Sequence, residues 1–317
     1  MRILSSDIGG TNARFAFFTL GAGSLSMRGA QSFSAKGTSF AELLEKALEG
    51  APKGFAPETL EAVCVAAAGP EENGAIRLTN TDITVDARVI QEAFPAALPL
   101  VINDFYAQAM AAVCPEAQEG MVRIKAGAPK GGAIAVLGAG TGFGTAYVRP
   151  GPDPEVTATE FGHIPFPFKE SEEKILSFIT RRAGRAPIFD DVVTGSGLAS
   201  LYAYFTGRED APENFTARPG FKESEASRLF SVFYARALRS VLFASLAKSA
   251  VITGGVARKN PFFLTSEAFK ESFYEAGPDH RLYLSGVEIL HNQLKGSGLY
   301  GAAHYARLAL AREGKIR

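Results

Sequence analysis

The stretch Ser6-Asp7-Ile8-Gly9-Gly10-Thr11-Asn12-Ala13-Arg14 decides the fold, because an acid, two glycines and a hydroxyl stand in one tight turn between two apolar runs. It reads as a phosphate-handling hairpin. Arg2 to Ile8 and Ala13 to Leu20 have strand composition, and Gly9 and Gly10 can supply the positive φ that a short hairpin turn demands. Successive N–H groups in such a turn form an anion-binding concavity, Thr11 adds a hydroxyl donor, and Asp7 could hold Mg2+ through water. A glycine hairpin on its own is also an ordinary turn, so the phosphate reading needs partners elsewhere.

The first partner is the run Ile134-Ala135-Val136-Leu137-Gly138-Ala139-Gly140-Thr141-Gly142-Phe143-Gly144-Thr145-Ala146-Tyr147-Val148, again two apolar segments around a Gly/Thr turn. An internal repeat about half a chain apart implies two related domains, each presenting a phosphate-cradling hairpin to a shared cleft. The chain has no Gly-x-x-x-x-Gly-Lys-Ser/Thr stretch, which excludes the Walker-type phosphate loop. Gly296-Ser297-Gly298-Leu299-Tyr300-Gly301 formally matches the dinucleotide fingerprint, but too little chain follows for the strand and ribose-binding acid. Its glycines read instead as a close helix–helix approach.

The 317 residues suggest two domains, and 46% hydrophobic with 21% charged residues suit a soluble globular protein. Lys plus Arg and Asp plus Glu both total 33, so no net field draws the chain to nucleic acid or an anionic membrane. A small neutral-to-anionic metabolite fits better. Only Cys64 and Cys114 are present, which favours buried thiols in a reducing cytoplasm, and the four scattered histidines show no zinc-ligand spacing. No apolar run reaches the roughly 18 residues of a membrane span.

Along the chain, Gln31 to Ser34 reads as a third strand, Ser39 to Glu49 as a helix, residues 60 to 68 and Leu98 to Ile102 as buried strands, and Asp86 to Phe94 as a short helix. The second half repeats the alternation, with helices near 170 to 183, 197 to 206 and 223 to 248, then a strand at Ala250 to Thr253. Pro150 to Pro154 and Ala211 to Pro219 read as surface loops. The expected division places 1–105 plus 296–317 in a smaller domain and 106–295 in a larger one.

Asn103-Asp104 ends a buried strand and opens a helix, where a sheet's carboxyl edge meets a cleft; Asn and Asp are also preferred helix caps. Glu160-Phe161-Gly162-His163 follows the second hairpin, and a Glu and His three residues apart can grip adjacent hydroxyls or simply be solvated. Thr253-Gly254-Gly255-Val256 follows an apolar strand and suits either a nucleotide or a left-handed helix connection.

The order and spacing of these motifs resemble the bacterial glucokinases, over nearly the whole chain. The resemblance rests on Asp7 to Arg14, Ile102-Asn103-Asp104-Phe105, Gly138 to Gly142, Glu160 to His163 and Thr253 to Val256. It implies an α/β protein with the two-domain actin-like ATPase (ribonuclease H-like) fold, each domain a mixed sheet flanked by helices, with a cleft between. It also implies ATP-dependent, Mg2+-assisted phosphorylation of glucose or a related hexose by a homodimer, with a kinase for mannose, fructose or an amino sugar, or a sugar-binding regulator, as alternatives. By the resemblance Asp104 is the catalytic base, and Asn103, Asp104, Glu160, His163 and Asp190 contact the sugar. Ser6, Asp7, Ile8, Gly9, Gly10, Thr11, Asn12, Gly138, Gly140, Thr141, Gly142, Gly254 and Gly255 contact the nucleotide.

Three departures stand out. Phe161 replaces a family glycine. Asp190, ahead of Thr194-Gly195-Ser196-Gly197, replaces a glutamate, with Asp191 as its rival for that role. Thr79-Asn80 resembles a sugar-side turn, but Ile83 stands where some relatives have Trp.

Overall fold

β1 (Arg2–Ile8) and β2 (Asn12–Gly21) form the expected hairpin, with Asp7 opposite Arg14 and Ile8 opposite Ala13. In this computed structural model, residues 1–21, 23–78, 81–128 and 131–315 are described. The Gly9 N–H donates to the Asn12 carbonyl at 3.0 Å and closes the turn. Gly9 is not in the left-handed region, so the positive φ expected of it is not used. The three-residue loop leaves enough chain to reverse without it.

The strands that follow are β3 (Ser24–Ser34), β4 (Ala62–Ala67), β5 (Ala75–Arg77), β6 (Thr84–Asp86), β7 (Leu98–Asn103), β8 (Met121–Lys125), β9 (Ile134–Ala139), β10 (Phe143–Arg149), β11 (Glu155–Thr159), β12 (Ser249–Thr253) and β13 (Glu288–Asn292). β3-β2-β1-β4-β7 make one sheet, β11-β10-β9-β12-β13-β8 another, and β5-β6 a separate ribbon. In both large sheets an antiparallel hairpin continues into two parallel strands: β2-β1-β4-β7 in the first, β10-β9-β12-β13 in the second. The sequence repeat is therefore a repeat of topology.

Contacts divide the chain into two compact units: Met1–Gly120, Pro150–Ala158 and Leu294–Arg317 in one, Met121–Arg149 and Thr159–Gln293 in the other. The first unit runs past the expected boundary at 105 because the helix Asp104–Ala112 stays packed on Ser297–Arg312. A Cβ at Gly301 would lie 1.8 Å from the Ala107 carbonyl oxygen, so this glycine is what lets the two backbones touch.

Alternation along β1 and β2 gives the first sheet two buried faces. Leu4, Ile8, Phe15 and Phe17 pack under the helix Phe40–Glu49 with Leu43, Leu44 and Ala47. Ile3, Ala16 and Phe18 pack under the small-residue stripe Ala107, Ala111, Ala302 and Ala306. In the second unit the helix Glu225–Ser245 buries Phe230, Phe233, Tyr234, Leu238 and Leu242 against the sheet. Cys64 and Cys114 are buried free thiols, and burial pushes the Cys114 pKa up to about 12. Among the described residues no helix is long and apolar enough to cross a membrane.

Two elements differ from expectation. β3 begins at Ser24 rather than Gln31, because an edge strand alternates with solvent and its apolar residues are sparse. β8 and β11 have the same weak pattern and carry no sequence signal of their own.

A partly buried polar tie joins three segments of the first unit. Arg307 donates to His304 Nδ1 at 2.6 Å, to the Gly23 carbonyl at 2.8 Å and to Glu116 at 3.2 Å. Burial, reinforced by Arg307 and opposed by Glu116, pushes the His304 pKa down to about 4. Its folded pKa lies below the unfolded value of about 6.5, so between these values the unfolded chain binds more protons and stability falls as pH drops. Wild type is expected to lose on the order of 3 kcal/mol across this window through His304. The pH dependence of Tm should therefore be shallower in His304→Gln, and equal slopes would contradict it.

Candidate active site

In the first unit, Ile8, Ala67 and Asn103 lie on one row of the parallel register and mark a common carboxyl edge. At normal strand spacing the ends of β1 and β7 are roughly 10 Å apart. The turn Gly9 to Thr11 hangs from one end, and Asp104 opens a helix at the other.

That helix starts where it does because Asn103 caps it. Asn103 Oδ1 accepts from the Phe105 and Tyr106 N–H groups at 2.8 and 3.1 Å, and its Nδ2 donates to the Gly69 carbonyl at 2.9 Å. The two cap candidates are thereby separated. Asn103 has its side-chain oxygen committed to the helix, and Asp104, the first helical residue, has Oδ1 2.9 Å from its neighbour Phe105 N–H.

Asp7 lies 3.3 Å from Arg14. Burial pushes its pKa up, and the Arg14 guanidinium opposes that shift. No group of three or more His, Cys, Asp or Glu among the described residues is arranged to hold a metal. Ser6 and Ile8 are enclosed in the sheet, whereas Thr11 and Asn12 are exposed and Gly10 is half-buried.

In the second unit, Gly138 pairs with Thr253 across β9 and β12, so the turn Gly140 to Gly142 and the Gly254-Gly255 step lie at one edge. The Gly140 carbonyl accepts from the N–H of Gly195, at the start of the helix Gly195–Thr206, at 3.1 Å. A Cβ at Gly138 would lie 2.9 Å from Thr253 Cγ2, and Gly254, at φ +93°, would put one 2.5 Å from the Ala139 carbonyl oxygen. Those two are required by packing. At Gly9 and Gly140 the nearest atom is a carbonyl oxygen at 3.9 Å, and neither backbone is left-handed. The protein itself does not require glycine at either of these two positions, and both stand beside open space, while their own N–H groups donate to the Asn12 and Gly142 carbonyls at 3.0 and 2.9 Å.

Glu160 and His163 form one turn, with His163 N–H donating to the Glu160 carbonyl at 3.0 Å and Nε2 3.5 Å from Oε2. Both side chains are more than half exposed. Phe161 fits because its ring turns inward, 4.9 Å from Phe189, which stacks on Phe143 at 5.7 Å. Asp190 stands beside this turn: its Oδ1 accepts from Phe143 N–H at 2.7 Å and would be 2.3 Å from a Cβ at Gly162. Asp191 is used elsewhere, accepting from Ile188 N–H at 2.9 Å and pairing with Arg185 at 2.6 Å. Asp190, not Asp191, therefore stands against Gly162 in the turn between Glu160 and His163. Thr79 and Asn80 lie outside the described residues.

The sequence reading missed Arg236 and Glu172, which are buried behind this turn. The available signal was a cation within the apolar stripe of the helix Glu225–Ser245.

Two α/β units of repeated topology, each with a glycine turn at its carboxyl edge, define the actin-like sugar-kinase fold. A glucokinase structure from an Antarctic psychrotroph is similar at a TM-score of 0.78 and 28% identity, covering 97% of this chain and 99% of that one. The glucokinase family model matches residues 4–309, and the chain belongs to the glucokinase family. It is similar to glucokinases of Chromohalobacter salexigens (29% identity, 94% of this chain and 95% of the relative) and Caulobacter vibrioides (30%, 86% of each). It is accordingly an enzyme, a hexose kinase.

Proposed function

We propose that the chain transfers the γ-phosphoryl group of ATP to the primary hydroxyl of glucose, giving glucose 6-phosphate and ADP. The observation that carries this reading is the row Ile8, Ala67, Asn103, from which a glycine turn and the helix that opens at Asp104 leave one sheet edge. Asp104 takes the hydroxyl proton as the sugar oxygen bonds to the γ-phosphorus and the bond to ADP breaks. The N–H groups of Gly10 and Thr11 in the first turn and of Thr141 and Gly142 in the second hold phosphate oxygens. Gly254-Gly255 lies against adenosine. The sugar hydroxyls are held by Glu160, His163 and Asp190, with the second Nδ2 hydrogen of Asn103. Asp7 would hold Mg2+ through water, and the ion, when bound with the phosphates, would supply charge neutralisation. Family membership also supports a cytoplasmic homodimer.

Asp190 is one methylene shorter than the family glutamate and already accepts from Phe143 N–H. That favours loose selectivity at the sugar end it contacts, and hence a second reading in which mannose is also a substrate.

Regiochemistry tests the reading. The phosphorus spectrum of the product should match glucose 6-phosphate, and 6-deoxyglucose should release no ADP; turnover of 6-deoxyglucose would overturn it. The glycine turn gives a separate expectation. Gly140→Ala should change stability by less than about 1 kcal/mol, raise the KM for ATP roughly 10-fold by blocking backbone approach to phosphate, and leave the hexose KM unchanged. A selective rise in hexose KM would contradict the assignment.

A further inference from the structure

The segments carrying Glu160, His163 and Asp190 are joined to each other. Phe166 N–H donates to the Pro187 carbonyl at 3.0 Å, and Phe189 N–H donates to the Ile164 carbonyl at 3.2 Å. Behind this junction lies a buried guanidinium. Arg236, 2% exposed, meets Glu172 through two parallel hydrogen bonds of 2.7 Å and also donates from Nη1 to the Pro167 carbonyl at 2.9 Å. Its guanidinium lies 5.6 Å from the Phe166 ring and 5.3 Å from that of Phe233. Glu172 Oε2 accepts in turn from Lys169 N–H at 2.8 Å. The loop from Ile164 to Lys169 is therefore tied at Phe166, Pro167 and Lys169, two residues of it to one ion pair.

Stability alone does not account for this arrangement. A buried ion pair roughly breaks even against well-packed apolar residues of similar volume. What an apolar pair cannot supply is a donor to a specific loop carbonyl. We propose that Arg236, oriented by Glu172, is a positioning residue for hexose recognition: by fixing Pro167 it holds Glu160, His163 and Asp190 in one arrangement. The proposal rests on the reading of those three side chains as sugar contacts.

The test is the double variant Glu172→Met/Arg236→Met, which removes both buried charges together and the donor to Pro167 with them. The expected result is a Tm near that of wild type, a hexose KM raised roughly 10-fold and an unchanged KM for ATP. Backbone amide exchange should be faster at residues 160–168 and 187–190 and unaltered in the first unit. Arg236→Lys serves if the double variant does not fold, because one ammonium retains Glu172 but cannot reproduce the bidentate pair and the Pro167 contact together. It should show the same split between hexose and ATP. Wild-type hexose KM with wild-type exchange in either folded variant overturns the proposal, as does an equal rise in both KM values. Absence of hexose turnover in wild type overturns the sugar reading itself, whereas unchanged exchange at 160–168 overturns the clamp alone.

Discussion

Asp104→Asn lowers kcat by roughly 10²-fold or more with a much smaller change in hexose KM. The amide retains the size of the carboxylate and one acceptor oxygen but cannot accept the hydroxyl proton. Because Asn103 already caps the helix with Oδ1 bonds of 2.8 and 3.1 Å, the variant should also keep its helix and its Tm. This separates catalysis from folding at adjacent residues. Steady-state kinetics and a melting curve on the same preparation decide it. A kcat near wild type would leave Asp104 as an ordinary first-turn acid, which stabilises a helix N-terminus by less than about 1 kcal/mol.

Glu172→Gln, by contrast, costs about 3 to 5 kcal/mol, because it leaves Arg236 charged, almost fully buried and without its counter-ion. At the scale of the second unit this lowers Tm by roughly 10 °C. Gln matches Glu in size and shape, so the loss reports the missing charge and acceptor of the buried pair rather than a cavity. Differential scanning calorimetry of the single variant beside Glu172→Met/Arg236→Met checks this. The single change should be the more harmful of the two, and a single variant melting with wild type would show that the pair is solvated in solution.

The two hairpins were legible because each combines uninterrupted apolar runs with a Gly/Thr turn, a pattern that one sheet and one turn geometry satisfy. The helix carrying Gly298 and Gly301 was legible for a related reason: its glycines recur at the three-residue spacing that lets another helix approach. The edge strands β3, β8 and β11 were not, since half their residues face solvent and propensity there is weak. The first unit's extent to Gly120 was not legible either, because a boundary depends on which unit the helix Asp104–Ala112 packs against, and that follows from Gly301 meeting Ala107.

At the candidate site the sequence supplied residue types but not their competing duties. Asn103 and Asp104 were equivalent as caps on paper; the backbone at Asn103 chose. Asp190 and Asp191 were adjacent acids, and only the fold sends one to Phe143 and the other to Arg185. Phe161 was a departure without an explanation until its ring met Phe189. Arg236 and Glu172 stand 64 residues apart, and no local pattern links them.

On the proposed function, this chain moves a phosphoryl group from ATP to a hexose. The most direct test of that transfer is coupled measurement of ADP release by the purified wild-type protein with ATP, Mg2+ and, in turn, glucose, mannose, fructose and glucosamine. The account predicts hexose-dependent ADP release with the highest kcat/KM for glucose. ADP release no faster with any of the four sugars than without sugar would contradict it.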